Sequence, residues 1–125
     1  GRMNVFNEHP FKVLFDYGHN AHAVAAMADL AQRLDVTGRR IVVLAGPGDR
    51  RDEDLRAIAD AVAGRFDHYI CRRDDSLRER APDEVPKLQA AQLQLRGVPA
   101  SAISISVKPR RILKVFIFEL VISNV

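Results

Sequence analysis

Residues 40–45 (RIVVLA) run directly into residues 46–54 (GPGDRRDED), and this join constrains the fold more than any other part of the chain. The first piece is a short apolar run rich in β-branched residues, the pattern of a buried strand, and residues 55–64 read as a helix. A strand that enters a glycine-bearing turn and then a helix gathers backbone N–H groups at the positive end of a helix dipole. That is an arrangement suited to holding an anion.

The flanking segments fit the same plan. After a turn-like stretch at 7–10 (NEHP), residues 11–17 (FKVLFDY) form a strand, so the N-terminus reads as a β-hairpin. A helix follows over 21–34, with Asn20 as its N-cap and Val24, Met27, Ala31 and Leu34 on one face. The helix after the glycine turn carries its stripe on Leu55, Ile58, Ala59 and Val62. A strand at 68–71 and a polar surface loop at 72–82, with four arginines, come next. A third helix spans 83–95 with Val85, Leu88, Ala91 and Leu95 on one side, and Pro86 is tolerated there only in the first turn. Alternating strands and helices predict an α/β, Rossmann-like domain: a mostly parallel sheet with helices on both faces and an N-terminal hairpin.

The domain is expected over residues 1–100, with 101–125 an atypical β-rich tail, divergent or truncated. Residues 103–107 alternate, and residues 115–122 either complete the sheet or, unpaired, form an aggregation-prone strand. The abrupt start at Gly1 suggests a piece of a longer chain or a domain boundary.

Composition narrows the classes. A chain of 125 residues with 47% hydrophobic and 28% charged residues suits one soluble domain with its own core. The net charge of +3 is small, its bases are interleaved with acids, and two tyrosines with no tryptophan provide little for bases to stack on, which argues against nucleic acid. The longest apolar run is interrupted by Glu119 and is too short to span a bilayer, so no membrane partner is expected. The lone Cys71 excludes an internal disulfide and reads as a small buried hydrophobe, consistent with a cytoplasmic protein.

Ligands of open α/β sheets bind beyond the carboxyl ends of the strands, where residues 16–20 (DYGHN) and 46–54 are expected on consecutive parallel strands. In the second loop Gly46 and Gly48 permit close backbone approach, Arg50 and Arg51 offer forked donors to phosphate or carboxylate, and Asp49 and Asp52 can orient them. The plainer reading is that Asp52 or Asp54 caps the helix and the arginines are solvated. His19 and His22 lie three apart without a third partner, so no metal site is read. No GxxxxGK[ST] phosphate loop occurs, so the chain cannot cradle ATP unaided.

In this order, residues 1–4 (GRMN), 16–20 and 46–54 resemble the C-terminal domain of Mur-type amide ligases, most nearly in the cyanophycin synthetase branch. The likeness covers residues 1–98. It implies a Rossmann-like lid domain closing over a central ATPase domain, of the same or a companion chain, that carries the P-loop. Such ligases activate a carboxylate as an acyl phosphate, and an incoming amine displaces the phosphate. In this branch the amine is taken to be arginine and the acceptor an aspartate side chain. The resemblance assigns Arg2 to the ATP phosphates, Asp16 to the ribose, and His19 and Asn20 to the vicinity of the nucleotide. Gly46, Gly48, Asp49, Arg50, Arg51 and Asp52 would line the phosphate or amino-acid side. ATP and Mg²⁺ would be bound mainly by the core. Two departures stand out: Ala21 replaces the family's usual proline after His-Asn, and residues 101–125 match neither the last helix nor the last strand, which would leave a sheet edge or face uncovered.

The expected function is therefore the lid or substrate domain of an ATP-dependent amide ligase, incompetent alone. The alternative is a non-catalytic Rossmann-like module that binds a nucleotide or another anion. A third reading is a remnant product that is poorly folded or homo-oligomeric through its altered tail.

Overall fold

A computed structural model describes residues 4–6, 11–16, 20–34, 38–108 and 118–123, with backbone alone for 4–6, 11–16 and 118–123. In chain order the elements are β1 (Asn4–Phe6), β2 (Phe11–Asp16), α1 (Ala21–Arg33), β3 (Arg40–Leu44), α2 (Asp52–Val62), β4 (His68–Arg72), α3 (Glu84–Leu95), a 3-10 turn (Ala100–Ala102), β5 (Ile103–Ser106) and β6 (Phe118–Ser123).

One six-stranded sheet has the order β1-β2-β6-β3-β4-β5. β1 and β2 form the expected antiparallel hairpin, and β3, β4 and β5 are parallel neighbours. The tail segment expected to complete the sheet enters it between β2 and β3, antiparallel to both. β2 and β3 therefore point the same way without touching. Asp16 and Leu44 both pair with Phe118, which sets the ends of β2 and β3 level and two strand spacings, ~10 Å, apart. β2 and β3 are consecutive in the chain and parallel, as expected, but not adjacent in the sheet: an apolar, β-branched strand between them satisfies the backbone ladders of both neighbours better than either edge would satisfy itself.

The helices begin and end for local reasons. Asn20 Oδ1 accepts from the Ala23 N–H at 2.8 Å, the expected N-cap of α1. At the other end of α1, the Arg40 guanidinium donates to the carbonyls of Ala31 (3.1 Å) and Leu34 (2.9 Å), placing a cation on the negative pole of the dipole. α2 starts at Asp52, three residues before the expected Leu55, because Asp52, Glu53 and Asp54 all favour a helix's first turn. Pro86 sits in the first turn of α3, where its missing N–H is harmless.

The core unites Val24, Met27, Ala28 and Ala31 of α1, Ile58, Ala59 and Val62 of α2, and Ala90 and Leu93 of α3 with Val42, Leu44, Tyr69 and Cys71 of the sheet. Val42 pairs with Tyr69 and Leu44 with Cys71, so these sheet residues share one face. The described helices thus all lie on that face, whereas the sequence reading expected helices on both. The reason is topological: β2, β3, β4 and β5 follow one another in a single direction across the sheet, and right-handed crossovers then place every connecting helix on the same side. Ile41, Val43 and Ile70 on the other face are only half-buried.

α3 is also rotated from its expected face. Gln89 and Gln92 are buried alongside Val85, Pro86, Ala90 and Leu93, while Leu95 is 76% exposed. Both glutamines find partners: Gln89 Nε2 donates to the Leu55 carbonyl at 3.3 Å, and Gln92 Nε2 to Asp60 Oδ1 at 2.7 Å. Hydrogen bonding lets amides occupy positions that a hydrophobic stripe would have assigned to leucine. Asp60 also receives Arg96 Nε at 2.8 Å, which ties α2 to the end of α3.

Two expected outcomes test this packing. The buried Tyr69 hydroxyl donates to the Val62 carbonyl and accepts from the Arg65 and Phe66 N–H groups, each at 3.1 Å. Tyr69→Phe will strand the Phe66 N–H, while the Arg65 N–H keeps the Val62 carbonyl at 3.2 Å, and will lower stability by about 1–3 kcal/mol in urea denaturation, without a change in m-value. Hydrogen bonds from Arg96 first, and then from Gln92, hold the Asp60 carboxyl below its ordinary value. Its contribution is present above the unfolded carboxylate range near ~4 and disappears as pH falls through the folded value. Asp60→Asn will therefore flatten the acid limb of the stability profile, as read by thermal melts between neutral pH and about pH 3.

Candidate functional site

The turn leaving β3 is shaped by what it packs against. Gly46 and Gly48 are buried. A Cβ on Gly46 would lie 2.3 Å from Leu55 Cδ2, and one on Gly48 would lie 1.9 Å from the Leu77 carbonyl oxygen. The close backbone approach that glycine permits is thus made to the chain itself. The Gly48 N–H donates to the Ser76 carbonyl at 2.8 Å, and the Arg50 N–H to the Pro47 carbonyl at 3.2 Å. Asp52, Glu53 and Asp54 occupy the first turn of α2. The backbone anion cradle anticipated from strand, turn and helix is therefore met largely from within: two of its N–H groups are engaged, and the dipole's positive end faces three carboxylates.

Side chains remain. Arg51 is the N-cap position of α2 but makes no capping bond through its side chain. Instead its Nε and Nη2 donate to Asp54 at 3.0 and 3.2 Å, a forked pair that holds the Asp54 carboxyl below its usual range. Asp52 does not orient Arg50 or Arg51, as the sequence had suggested. It pairs with Arg80, whose Nη2 lies 2.8 Å from Asp52 Oδ1. Asp49 and Arg50 are exposed, and the Arg50 guanidinium forms no ion pair among the described residues.

Between the start of α1 and the start of α2 lies a cavity of about 190 Å³ lined by Asn20, Ala21, Arg50, Asp54 and Ala57. Of the residues singled out in the sequence, it brings Asn20 and Arg50 together. The small side chains of Ala21 and Ala57 leave it open. Among the described residues its charged lining is Arg50 and Asp54, the latter already paired with Arg51, so an anion is the ligand these residues favour. Gly46 and Gly48 line the packed seam with residues 73–86 instead. Asp16 is placed by its backbone at the carboxyl end of β2, while Arg2 and His19 lie outside the described residues. Cys71 is fully buried, and burial pushes its thiol up to about 12, as suits a structural residue.

Arg80 is the residue that sequence reasoning missed. Residues 72–82 were expected to be a surface loop, yet Arg80 is held against four groups of the β3–α2 turn and the two helix starts: Gly48 O, Arg50 O, Asp52 and Glu84. The four-residue spacing from Arg80 to Glu84 could have signalled one of these pairs. Nothing local points to Gly48.

Among the described residues, the class is thus a Rossmann-like α/β domain with two loops gathered at the carboxyl edge of its sheet. The family model "Mur ligase, glutamate ligase domain" matches residues 1–114, and the chain belongs to that family. It is 41% identical over 101 residues to a cyanophycin synthetase of Geminocystis herdmanii, covering 81% of this chain and 11% of that protein. It is 36% identical over 73 residues to a UDP-N-acetylmuramyl-tripeptide synthetase of Treponema pallidum, covering 58% and 14%. With a UDP-N-acetylmuramoyl-L-alanyl-D-glutamate--2,6-diaminopimelate ligase of Prochlorococcus marinus it shares 31% over 118 residues, covering 89% and 22%. The chain thus spans about a tenth of the length of the cyanophycin synthetases it matches. No helix among the described residues is long and apolar enough to cross a membrane.

Gly48→Ala separates packing from binding. The added methyl must displace the Leu77 backbone, with an expected cost of about 1–3 kcal/mol in chemical denaturation. Asp49→Ala, one residue on and exposed, will stay within about 0.5 kcal/mol of the parent.

Proposed function

We propose that this chain is the C-terminal lid and substrate domain of an ATP-dependent amide ligase of the cyanophycin synthetase type, dependent on a P-loop ATPase core that its sequence does not contain. The observation that carries the reading is the cavity in which Asn20, the last residue of the DYGHN segment, and Arg50, from the GPGDRRDED segment, meet at the carboxyl edge of the sheet. The family match and the names of the relatives support the reaction class.

In the proposed reaction an acceptor carboxylate attacks the γ-phosphorus of ATP and ADP leaves. An amino-acid amine, arginine in this branch, then attacks the acyl carbon and expels inorganic phosphate. What this chain contributes is charge and position. The guanidinium of Arg50 forms no ion pair among the described residues, and its forked donors are available to a phosphoryl or carboxylate oxygen. Asp54, held by Arg51, places its anion at the cavity wall. Asp16, His19 and Asn20 are assigned to the nucleotide, and Arg2 to its phosphates. Gly46, Gly48 and Asp52 serve by shaping the turn, and the exposed Asp49 is assigned to the phosphate or amino-acid side. Mg²⁺ is assigned to the core, since no group of three His, Cys, Asp or Glu among the described residues could hold a metal ion. Closure of the lid over the core would complete the site and exclude water.

The test is reconstitution. With the P-loop core of a cyanophycin synthetase supplied as a separate polypeptide, the chain is expected to support ATP-dependent amide formation, followed by phosphate release, and to support none without it. Arg50→Ala and Asp16→Ala will each cut turnover by about 10- to 100-fold, the worth of a charge-assisted hydrogen bond. Unchanged turnover in both variants overturns the site assignment. Micromolar ATP binding by the chain alone, read by calorimetry, would favour the non-catalytic binding module instead.

A further inference from the structure

We infer that Arg80 is a positioning residue for the ligand site, acting through Arg50, an assignment that rests on the reading of the Asn20–Arg50 cavity given above. Arg80 Nε donates to the Gly48 carbonyl at 2.9 Å, and its Nη2 to the Arg50 carbonyl at 2.8 Å and to Asp52 Oδ1 at 2.8 Å. Its Nη1 donates to Glu84 Oε2 at 2.6 Å. The side chain is only 18% exposed. One planar fork thus grips the backbone on either side of Asp49, including the carbonyl of the very residue whose side chain faces the cavity.

The location would repel a cation if it were not compensated. Arg80 sits where α2 and α3 begin, and both dipoles present their positive ends there. Asp52 and Glu84, the first residues of α2 and α3, supply the two carboxylates that reverse this. Hydrogen bonds donated to Asp52 first, and then to Glu84, raise the affinity of Arg80 for its proton.

The chain also takes an unfavourable backbone path to deliver this side chain. Arg78 and Glu79, immediately before it, have φ of 48° and 70°, a left-handed conformation that residues with a Cβ seldom adopt. The Gly48 N–H bond to Ser76 closes the same seam from the opposite side. Because α2 has no side-chain N-cap, the turn before it depends on Arg80 for the path that brings Arg50 to the cavity it lines with Asn20. Lysine cannot substitute, since a single ammonium point cannot reach two carbonyls and two carboxylates that lie around a planar fork.

The test couples a local probe to a functional one. In the full chain, Arg80→Lys and Arg80→Ala are expected to speed amide hydrogen exchange at Gly48 and Arg50 by about tenfold or more, while the β3 and β4 amides exchange as before. In the reconstituted ligation assay Arg80→Ala will lower turnover, and the Arg50→Ala/Arg80→Ala double variant will be no slower than Arg50→Ala alone. Additive losses in the double variant, or unchanged exchange at Gly48 and Arg50 in Arg80→Lys, overturn the proposal. If exchange speeds as expected but Arg50→Ala leaves ligation intact, the assigned function fails, and with it the step from Arg80 to that site, while the grip of Arg80 on the turn stands. Arg80→Lys keeps the measurement interpretable should Arg80→Ala fail to fold.

Discussion

The turn between β3 and α2 can take its path because residues 46 and 48 have no side chains. Leu55, fully buried, occupies the space above Gly46, and the Leu77 backbone occupies the space above Gly48. Close packing at these two points brings the β4–α3 connection down onto the β3–α2 turn. That contact in turn sets where α2 starts, which carboxylates face its N-terminus and which arginine has no ion pair among the described residues. Interiors packed to this density do not absorb an extra methyl without moving backbone.

Charge placement follows from that seam. Among the arginines near the turn, Arg51 is tied to Asp54 and Arg80 to Asp52 and Glu84. Arg50 is left facing the cavity beside Asn20. A cation without its own anion is costly only when buried. Exposed beside a cavity, it remains available to a phosphate or carboxylate from outside. The glycine loop therefore acts as a scaffold that aims an arginine, and much of its own backbone is already engaged.

The sheet shows how far a topology can be inferred from local pattern. Strand, helix, strand and helix were legible from residue 11 to residue 71, and the stripe Leu55, Ile58, Ala59 and Val62 is buried as its spacing implied. The α3 stripe was not, because the burial of Gln89 and Gln92 depends on acceptors contributed by Leu55 and Asp60 of another helix. The insertion of β6 between β2 and β3 was equally hidden. Its composition announced a strand, but composition carries no record of which neighbours a strand will pair with.

The candidate site divides along the same line. Asn20 as a cap, the glycines as sites of close approach, and Cys71 as an inert buried thiol were readable in the chain, since each depends on residue type and immediate neighbours. The family could be recognised on the same grounds, from motifs contiguous in sequence. Only the tertiary structure decided what the glycines approach, that Asp52 belongs to Arg80, and that Arg50 lines the cavity with no ion pair among the described residues. Those outcomes turn on contacts such as Arg80 with Gly48, 32 residues apart, and a hydrogen bond over that span exists only after the core has brought its two loops together.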